Sequence, residues 1–212
     1  MFAGSCAQQK VLDNAFDLNV IKTKYDTGSE APYGRNFDFV SNDSAWMTGI
    51  RFYRGNMFIT NRGNNNHLDS NDIKMFKLGV TKTAGAPDQT LNIGTVMTSV
   101  DGFDLAPNGV NILLANFHGQ GVQSATLATA FDLTSTFGLT GSEKDSGGNG
   151  VRACSWNDDG SKYYMGYGVT TNQSKIRQFT AATTYQPARG HTEGTELTLS
   201  HTNLAHITFN PN

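Results

Sequence analysis

A period of about 53 residues constrains this chain more than any other feature, because a unit repeated at that spacing must be one supersecondary module that buries its faces against its neighbours. Phe52, Leu105, Trp156 and Phe209 stand 53, 51 and 53 residues apart. Each sits in the same kind of hairpin. Gly102 to Leu114 holds a strand, a Pro107-Asn108-Gly109 turn and a second apolar strand, and Ala153 to Met165 repeats it around Asp159-Gly160. Ile50 to Ile59 repeats it with the shorter turn Arg54-Gly55, and the chain ends on Ile207-Thr208-Phe209-Asn210-Pro211-Asn212, a first strand cut off inside its turn. Asn-Gly and Asp-Gly between apolar runs are the strongest local hairpin signals, since both residues tolerate a left-handed backbone.

The same spacing predicts a third strand in each module, over residues 72–78, 124–133 and 175–179, and a fourth with candidates at 90–93 and 197–199. The N-terminus opens in mid-module: Ala15-Phe16-Asp17-Leu18 matches Ala130-Phe131-Asp132-Leu133. The C-terminal strand therefore completes the N-terminal module, and pairing the termini would remove the edges an open array exposes. The expected fold is all-β and β-propeller-like: four antiparallel sheets in a single domain over residues 1–212. The modules fall at approximately 1–36 plus 204–212, 37–96, 97–148 and 149–203. Closure within one chain is the leading expectation; strand exchange between chains and a cut from a longer array are the alternatives.

Composition narrows function. Sixteen basic against eighteen acidic side chains leave a formal charge of −2, and only 16% of residues are charged, so no field of one sign exists to recruit nucleic acid or an anionic membrane surface. Cys6 and Cys154 are too few for a disulfide framework and read as buried thiols. No basic segment followed by an apolar run opens the chain, and no stretch of eighteen apolar residues occurs, so neither a signal peptide nor a membrane insertion is expected.

With the hairpins and the Phe131-Asp132-Leu133-Thr134-Ser135 segment in view, the modules resemble the propeller-type repeats of tail and other virion proteins of marine bacteriophages, within the broader WD40- and NHL-like pattern. The best matches are Phe103 to Leu114, and Trp156-Asn157-Asp158-Asp159-Gly160-Ser161-Lys162-Tyr163-Tyr164 with Ile176-Arg177-Gln178-Phe179. Nearly the whole chain is covered. The Gly-His and Trp-Asp dipeptides of WD40 repeats are missing, and module 37–96 departs most, with Tyr53-Arg54-Gly55-Asn56 in place of the Pro-Asp-Gly turn. The resemblance implies a virion role, at a virion or extracellular particle surface after synthesis in a cytoplasm.

Motifs that could carry chemistry have plainer explanations. Asn157-Asp158-Asp159-Gly160 lacks the later glutamate of a calcium loop and is the repeat's turn. The five histidines, His67, His118, His191, His201 and His206, have no zinc-site spacing. His118-Gly119-Gln120-Gly121 has no nucleophile elbow to serve, and Gly147-Gly148-Asn149-Gly150 lacks the Gly-Lys-Ser/Thr ending of a phosphate loop. No catalytic residue, cofactor or metal is therefore expected. Asp104, Asp132 and Asp159 occupy inequivalent module positions and would not converge as a glycosidase pair.

Phe52, Trp156 and Phe209 recur in register and are assigned to the core. Trp46, Tyr25, Tyr33, Tyr167 and Tyr185 fall outside it and are the candidate contact aromatics, together with Asn64, Asn65 and His67 of a polar loop, and His118. The expected function is a non-enzymatic structural or attachment component of a virion, acting through contacts with other virion subunits or copies of itself and with a host surface. The alternative is a carbohydrate-binding, lectin-like propeller that takes a surface glycan.

Overall fold

The computed structural model describes residues 46–62, 71–77, 87–94, 97, 99–117, 121–144, 150–170, 173–181, 183–187, 192–200 and 207. Strands β1 (Trp46–Tyr53), β2 (Asn56–Arg62), β3 (Asp72–Lys77) and β4 (Gln89–Asn92) form sheet one. Sheet two holds β5 (Val100–Leu105), β6 (Asn111–Asn116), β7 (Gly121–Leu127) and β8 (Phe137–Lys144), and sheet three β9 (Val151–Trp156), β10 (Lys162–Thr170), β11 (Gln173–Thr180) and β12 (Thr192–Leu199). Every sheet is antiparallel with its strands in chain order, so the fold is all-β and propeller-like. The described residues contain three sheets rather than the expected four. The fourth expected module, 1–36 plus 204–212, lies outside them except for Ile207.

Because the sheets stack face to face, both faces of an inner strand are buried, which explains continuous apolar runs such as Met57-Phe58-Ile59 and Ile112-Leu113-Leu114. Phe58, Ile73, Met75 and Leu91 of sheet one pack on Phe103, Leu105, Ile112, Leu114 and Leu127 of sheet two. The other face of sheet two sends Leu113, Ala115 and Val122 against Val151, Cys154, Trp156, Tyr163, Met165 and Phe179 of sheet three. The innermost strands approach closely: a Cβ added at Gly102 would stand 2.7 Å from the Arg152 carbonyl oxygen, so only glycine lets β5 lie on β9 there.

One turn device recurs. Gly109 and Gly160 close the inner hairpins at φ of 72° and 69°, and Phe131 and Tyr185, themselves at φ 59°, lie over them. The backbone N–H of each aromatic donates to the glycine carbonyl below, at 2.8 Å for Phe131 and 2.9 Å for Tyr185. Residues 128–136 are thus a lid, and the third strand of this module ends at Leu127 rather than running to 133. Asp132 locks the lid by accepting from the Thr134 backbone N–H and hydroxyl, which holds its carboxyl below the usual range. Leu133 then donates its N–H to Gln89 Oε1 on the preceding sheet.

Sheet one lacks the lid among the described residues: nothing lies within 4 Å of a Cβ built on Gly55, although its φ of 73° is as left-handed as the others. At Gly109 and Gly160 that Cβ would fall 2.2 and 2.4 Å from the ring above. Gly55→Ala therefore faces backbone strain alone, about 1–2 kcal/mol, whereas Gly109→Ala and Gly160→Ala also expel an aromatic lid. Chemical denaturation should rank the latter two at least twice as destabilising, and equal losses at all three would contradict the lid geometry.

The core assignment of Phe52 is corrected as well. Leu105 and Trp156 are buried as expected, but Phe52 is 37% exposed. Leu105 packs with Phe131 and Leu133, and Trp156 lies edge-on to Tyr185 at 5.5 Å. Phe209 lies outside the described residues.

Candidate functional site

Two polar columns run through the repeat. The residues just before Phe52, Leu105 and Trp156 are Arg51, Asp104 and Ser155, and all three are buried and meet between the inner strands. Arg51 Nε lies 2.8 Å from Asp104 Oδ1, an ionic contact whose N–H direction is not that of a hydrogen bond. Ser155 Oγ donates to Asp104 Oδ2 at 2.7 Å, the Trp156 backbone N–H donates to the same oxygen at 2.8 Å, and Arg51 Nη2 donates to Ser155 Oγ at 3.2 Å. Arg51 Nη2 also donates to the Ile207 carbonyl at 2.8 Å, so the C-terminal segment reaches the same hub. Burial pushes the Asp104 carboxyl up, against the pull of Arg51, Ser155 and the Trp156 N–H. Cys154 beside it is a buried free thiol, raised well above its ordinary value by the same burial; Cys6 lies outside the described residues.

The second column stands four residues before the repeat position: Thr48, Asp101 and Arg152. Each is the extra residue of a β-bulge, since Met47 and Gly49 pair with adjacent residues of β2, Val100 and Gly102 with adjacent residues of β6, and Val151 and Ala153 with adjacent residues of β10. A bulge re-aims its side chain, and here each one turns to an adjoining sheet. Thr48 Oγ1 donates to the Val100 carbonyl at 2.8 Å. Asp101 takes Arg62, the end of β2, with Nη1 3.0 Å from Oδ1 and 3.3 Å from Oδ2, and also accepts from Ser99 Oγ. Arg152 lies over the ring of Phe117, just past β6, at 4.7 Å from its centroid, and Arg62 lies 5.2 Å from the same ring. Arg62, Asp101, Phe117 and Arg152 form the candidate site, at the end of the sheets opposite the hairpin turns.

Of the contact residues expected from sequence, Trp46, Tyr167 and Tyr185 lie among the described residues. Trp46 starts β1 in register with Arg62. Asn64, Asn65 and His67 belong to the connection that leaves Arg62, and His118 follows Phe117; all four lie outside the described residues, as do Tyr25, Tyr33, His191, His201 and His206. Tyr167 is corrected: at 2% exposure it is a core ring, not a stacking platform, and its hydroxyl donates to Glu196 Oε2 at 3.2 Å. Tyr185 is the half-buried turn lid, with its hydroxyl on the Asp158 carbonyl at 2.6 Å.

Glu196 on β12 is gripped by Lys175 and by Arg177, whose Nη2 stands 2.8 Å from Oε2, with Tyr167 behind. These partners hold its carboxyl at about 2, against an ordinary 4.5. A folded value below the unfolded one means that the stabilisation is complete above about 4.5 and fades as the pH falls through 2. Solvent screening keeps the effect small. Carboxyl NMR should find Glu196 titrating near 2, and an ordinary midpoint would show the cluster open in solution.

Among the described residues no group of three His, Cys, Asp or Glu could hold a metal, and no helix is long and apolar enough to cross a membrane, which leaves strands that cross as a β-barrel untested.

The sheets, hairpins and recurring bulges define an all-β repeat protein of the propeller type. No family model matches the chain, and no curated protein does. Among solved structures it is similar to a functionally unknown protein from Desulfotomaculum acetoxidans DSM 771, at 15% identity and a TM-score of 0.47, over 77% of this chain and 45% of that one. It is also similar to Hsv2 of Kluyveromyces lactis (12% identity, TM-score 0.38, 62% and 36% covered) and to a complex of KlAtg21 with the coiled-coil of AgAtg16 (10%, 0.38, 71% and 57%). The chain spans less than two thirds of the length of each of these structures.

Proposed function

We propose that the chain is a non-enzymatic structural or attachment component of a virion that works through contacts with neighbouring subunits, copies of itself among them. The observation that carries the reading is where the exposed apolar side chains lie. Leu139 is 43% exposed on β8 and Leu197 54% on β12, the outermost strands of two successive sheets. Strands that end their sheets among the described residues and carry exposed leucines are surfaces that another subunit can cover. The groups best suited to chemistry are instead committed inward: Asp104 and Cys154 are buried, and the Asp104 carboxylate is engaged by Arg51, Ser155 and Trp156. The resemblance of the hairpin repeat to phage virion proteins supplies the biological setting.

Two measurements test it. Antibody to the chain should label density-purified particles, and recovery of the chain only in the particle-free lysate would overturn the virion reading. Leu139→Asp with Leu197→Asp should lower the native mass toward the monomer without lowering the melting point; an unchanged assembly would remove the outer strands from the interface.

A further inference from the structure

Crossing each sheet from the buried hub leads to the same place on its outermost strand. Arg51 pairs with Phe58, Phe58 with Met75 and Met75 with Gln89. The row from Asp104 runs through Leu113 and Ser124 to Gly141, and the row from Ser155 through Tyr164 to Gln178. Gln178 meets β12 at a bulge, where Gly194 and Thr195 fill the step between Glu193, opposite Phe179, and Glu196, opposite Arg177; Thr195, next to Glu196, is the counterpart of Gln89 and Gly141. The first two places are seats for the lid of the following module. Leu133 donates its N–H to Gln89 Oε1 at 2.9 Å, and a Cβ built on Gly141 would stand 2.6 Å from the carbonyl oxygen of buried Pro187. Leu133 and Pro187 are each the second residue after the lid ring, Phe131 or Tyr185. The third seat is open. Thr195 is exposed where Gln89 and Gly141 are half-buried, and Leu197, the counterpart of buried Leu91, is 54% exposed.

We propose that Thr195 and Leu197 on β12 take an Asp-Leu-Thr turn of a neighbouring subunit, seated as Leu133 is seated on sheet one. The filled seat defines the partner's chemistry. Asp132 accepts from the backbone N–H and hydroxyl of Thr134, and this turn leaves the N–H of the intervening Leu133 to Gln89 while its side chain is buried in one cluster with Leu91. At the open seat Thr195 offers the acceptor that Gln89 supplies, and Leu197 the apolar contact that Leu91 supplies. Pro187 shows the other form of the device: it has no N–H to satisfy, and the seat beneath it is a glycine. A seat with a hydroxyl therefore fits the leucine form. The partner comes from outside, because both described lids are already seated on sheets one and two and Thr195 stands exposed. The inference deepens the subunit-contact reading and rests on it for its setting.

Amide NMR of the intact chain, titrated with a synthetic peptide of residues 129–135, tests the seat. The peptide should shift the Thr195 and Leu197 signals saturably, and its Leu133→Ala form should bind about tenfold more weakly. Leu197→Asp in the chain should weaken binding by a similar factor, whereas Leu139→Asp, on the outer strand of sheet two, should bind like the parent. Thr195→Val removes the acceptor and little else. It should weaken the leucine peptide about fivefold and leave the Leu133→Pro peptide, which has no N–H to place there, unchanged. Melting curves establish that each variant is folded. No saturable shift, undiminished binding of the Leu133→Ala peptide or by Leu197→Asp, equal loss in Leu139→Asp, or equal loss of both peptides in Thr195→Val would each overturn the proposal. So would binding by Phe16→Ala with Leu18→Ala that the parent lacks, since the chain's own Phe16-Asp17-Leu18 would then be the occupant. Native mass and particle labelling are read independently, so a failed titration beside an assembled, particle-bound chain sinks this seat alone.

Discussion

Replacing Asp104 with alanine should cost about 3–5 kcal/mol, because the change strands a buried guanidinium and deprives Ser155 and the Trp156 N–H of their shared acceptor. That is a large part of the roughly 5–15 kcal/mol that holds a typical domain together. Arg51→Ala should cost a similar amount for the opposite reason: it leaves the Asp104 carboxylate buried without its cation and frees the Ile207 carbonyl. The diagnostic variant is the pair Arg51→Met with Asp104→Leu, which removes both charges together. Well-packed apolar replacements of a buried ion pair are often neutral or better, so the double variant should recover most of the loss of either single one. Urea melts of the parent, Arg51→Met, Asp104→Leu and the double variant measure this. Additive losses would mean that Arg51 and Asp104 contribute independently and that no shared hub exists.

The hub stood in the sequence as a column one residue ahead of the repeat position, and the bulge column stood four residues ahead. Neither was legible as such. A polar residue inside a strand ordinarily marks the solvent face, and only the stacking of three sheets around the inner strands turns that face inward, where Arg51, Asp104 and Ser155 must satisfy one another. The hairpins were legible because their turn chemistry is local: Gly109 and Gly160 take left-handed angles that few other residues tolerate. Phe131-Asp132-Leu133 misled for the complementary reason. Its apolar–polar alternation reads as strand, yet the left-handed Phe131 and the Asp132–Thr134 turn make it a lid. Strand β8 escaped notice because Phe137–Lys144 carries two glycines and one face open to solvent. Phe52 shows the limit of register arguments, since equivalent positions share a backbone place but not the same burial. For the candidate site, the sequence reading did not reach Arg152 and Asp101, whose one signal was charge at a fixed offset from Trp156 and Leu105.

Trp156→Ala should be the largest single loss in sheet three. Trp156 is buried, lies edge-on to Tyr163 at 5.8 Å and to Tyr185 at 5.5 Å, and Tyr163 in turn stacks on Phe179 at 5.1 Å. Truncating a core tryptophan costs about 3–5 kcal/mol, and each edge-on aromatic pair adds about 0.5–1.5 kcal/mol beyond the area it buries. Trp156→Phe should lose far less, for two reasons: it keeps most of the ring contact, and it removes an indole Nε1 that is buried without an acceptor. Deleting such an orphan donor returns about 1 kcal/mol or more, which offsets part of the smaller ring's lost packing. Tyr185→Ala isolates the lid. If Tyr185 stabilises the sheet by covering Trp156, the double variant with Trp156→Ala should fall short of the sum of the two single losses by about 1 kcal/mol. Fluorescence-monitored melts of Tyr185→Ala and calorimetric melts of the Trp156 variants supply the four corners of the cycle. A sum that closes without a coupling term would mean that Tyr185 holds only the Gly160 turn and that Trp156 is buried by sheet two alone.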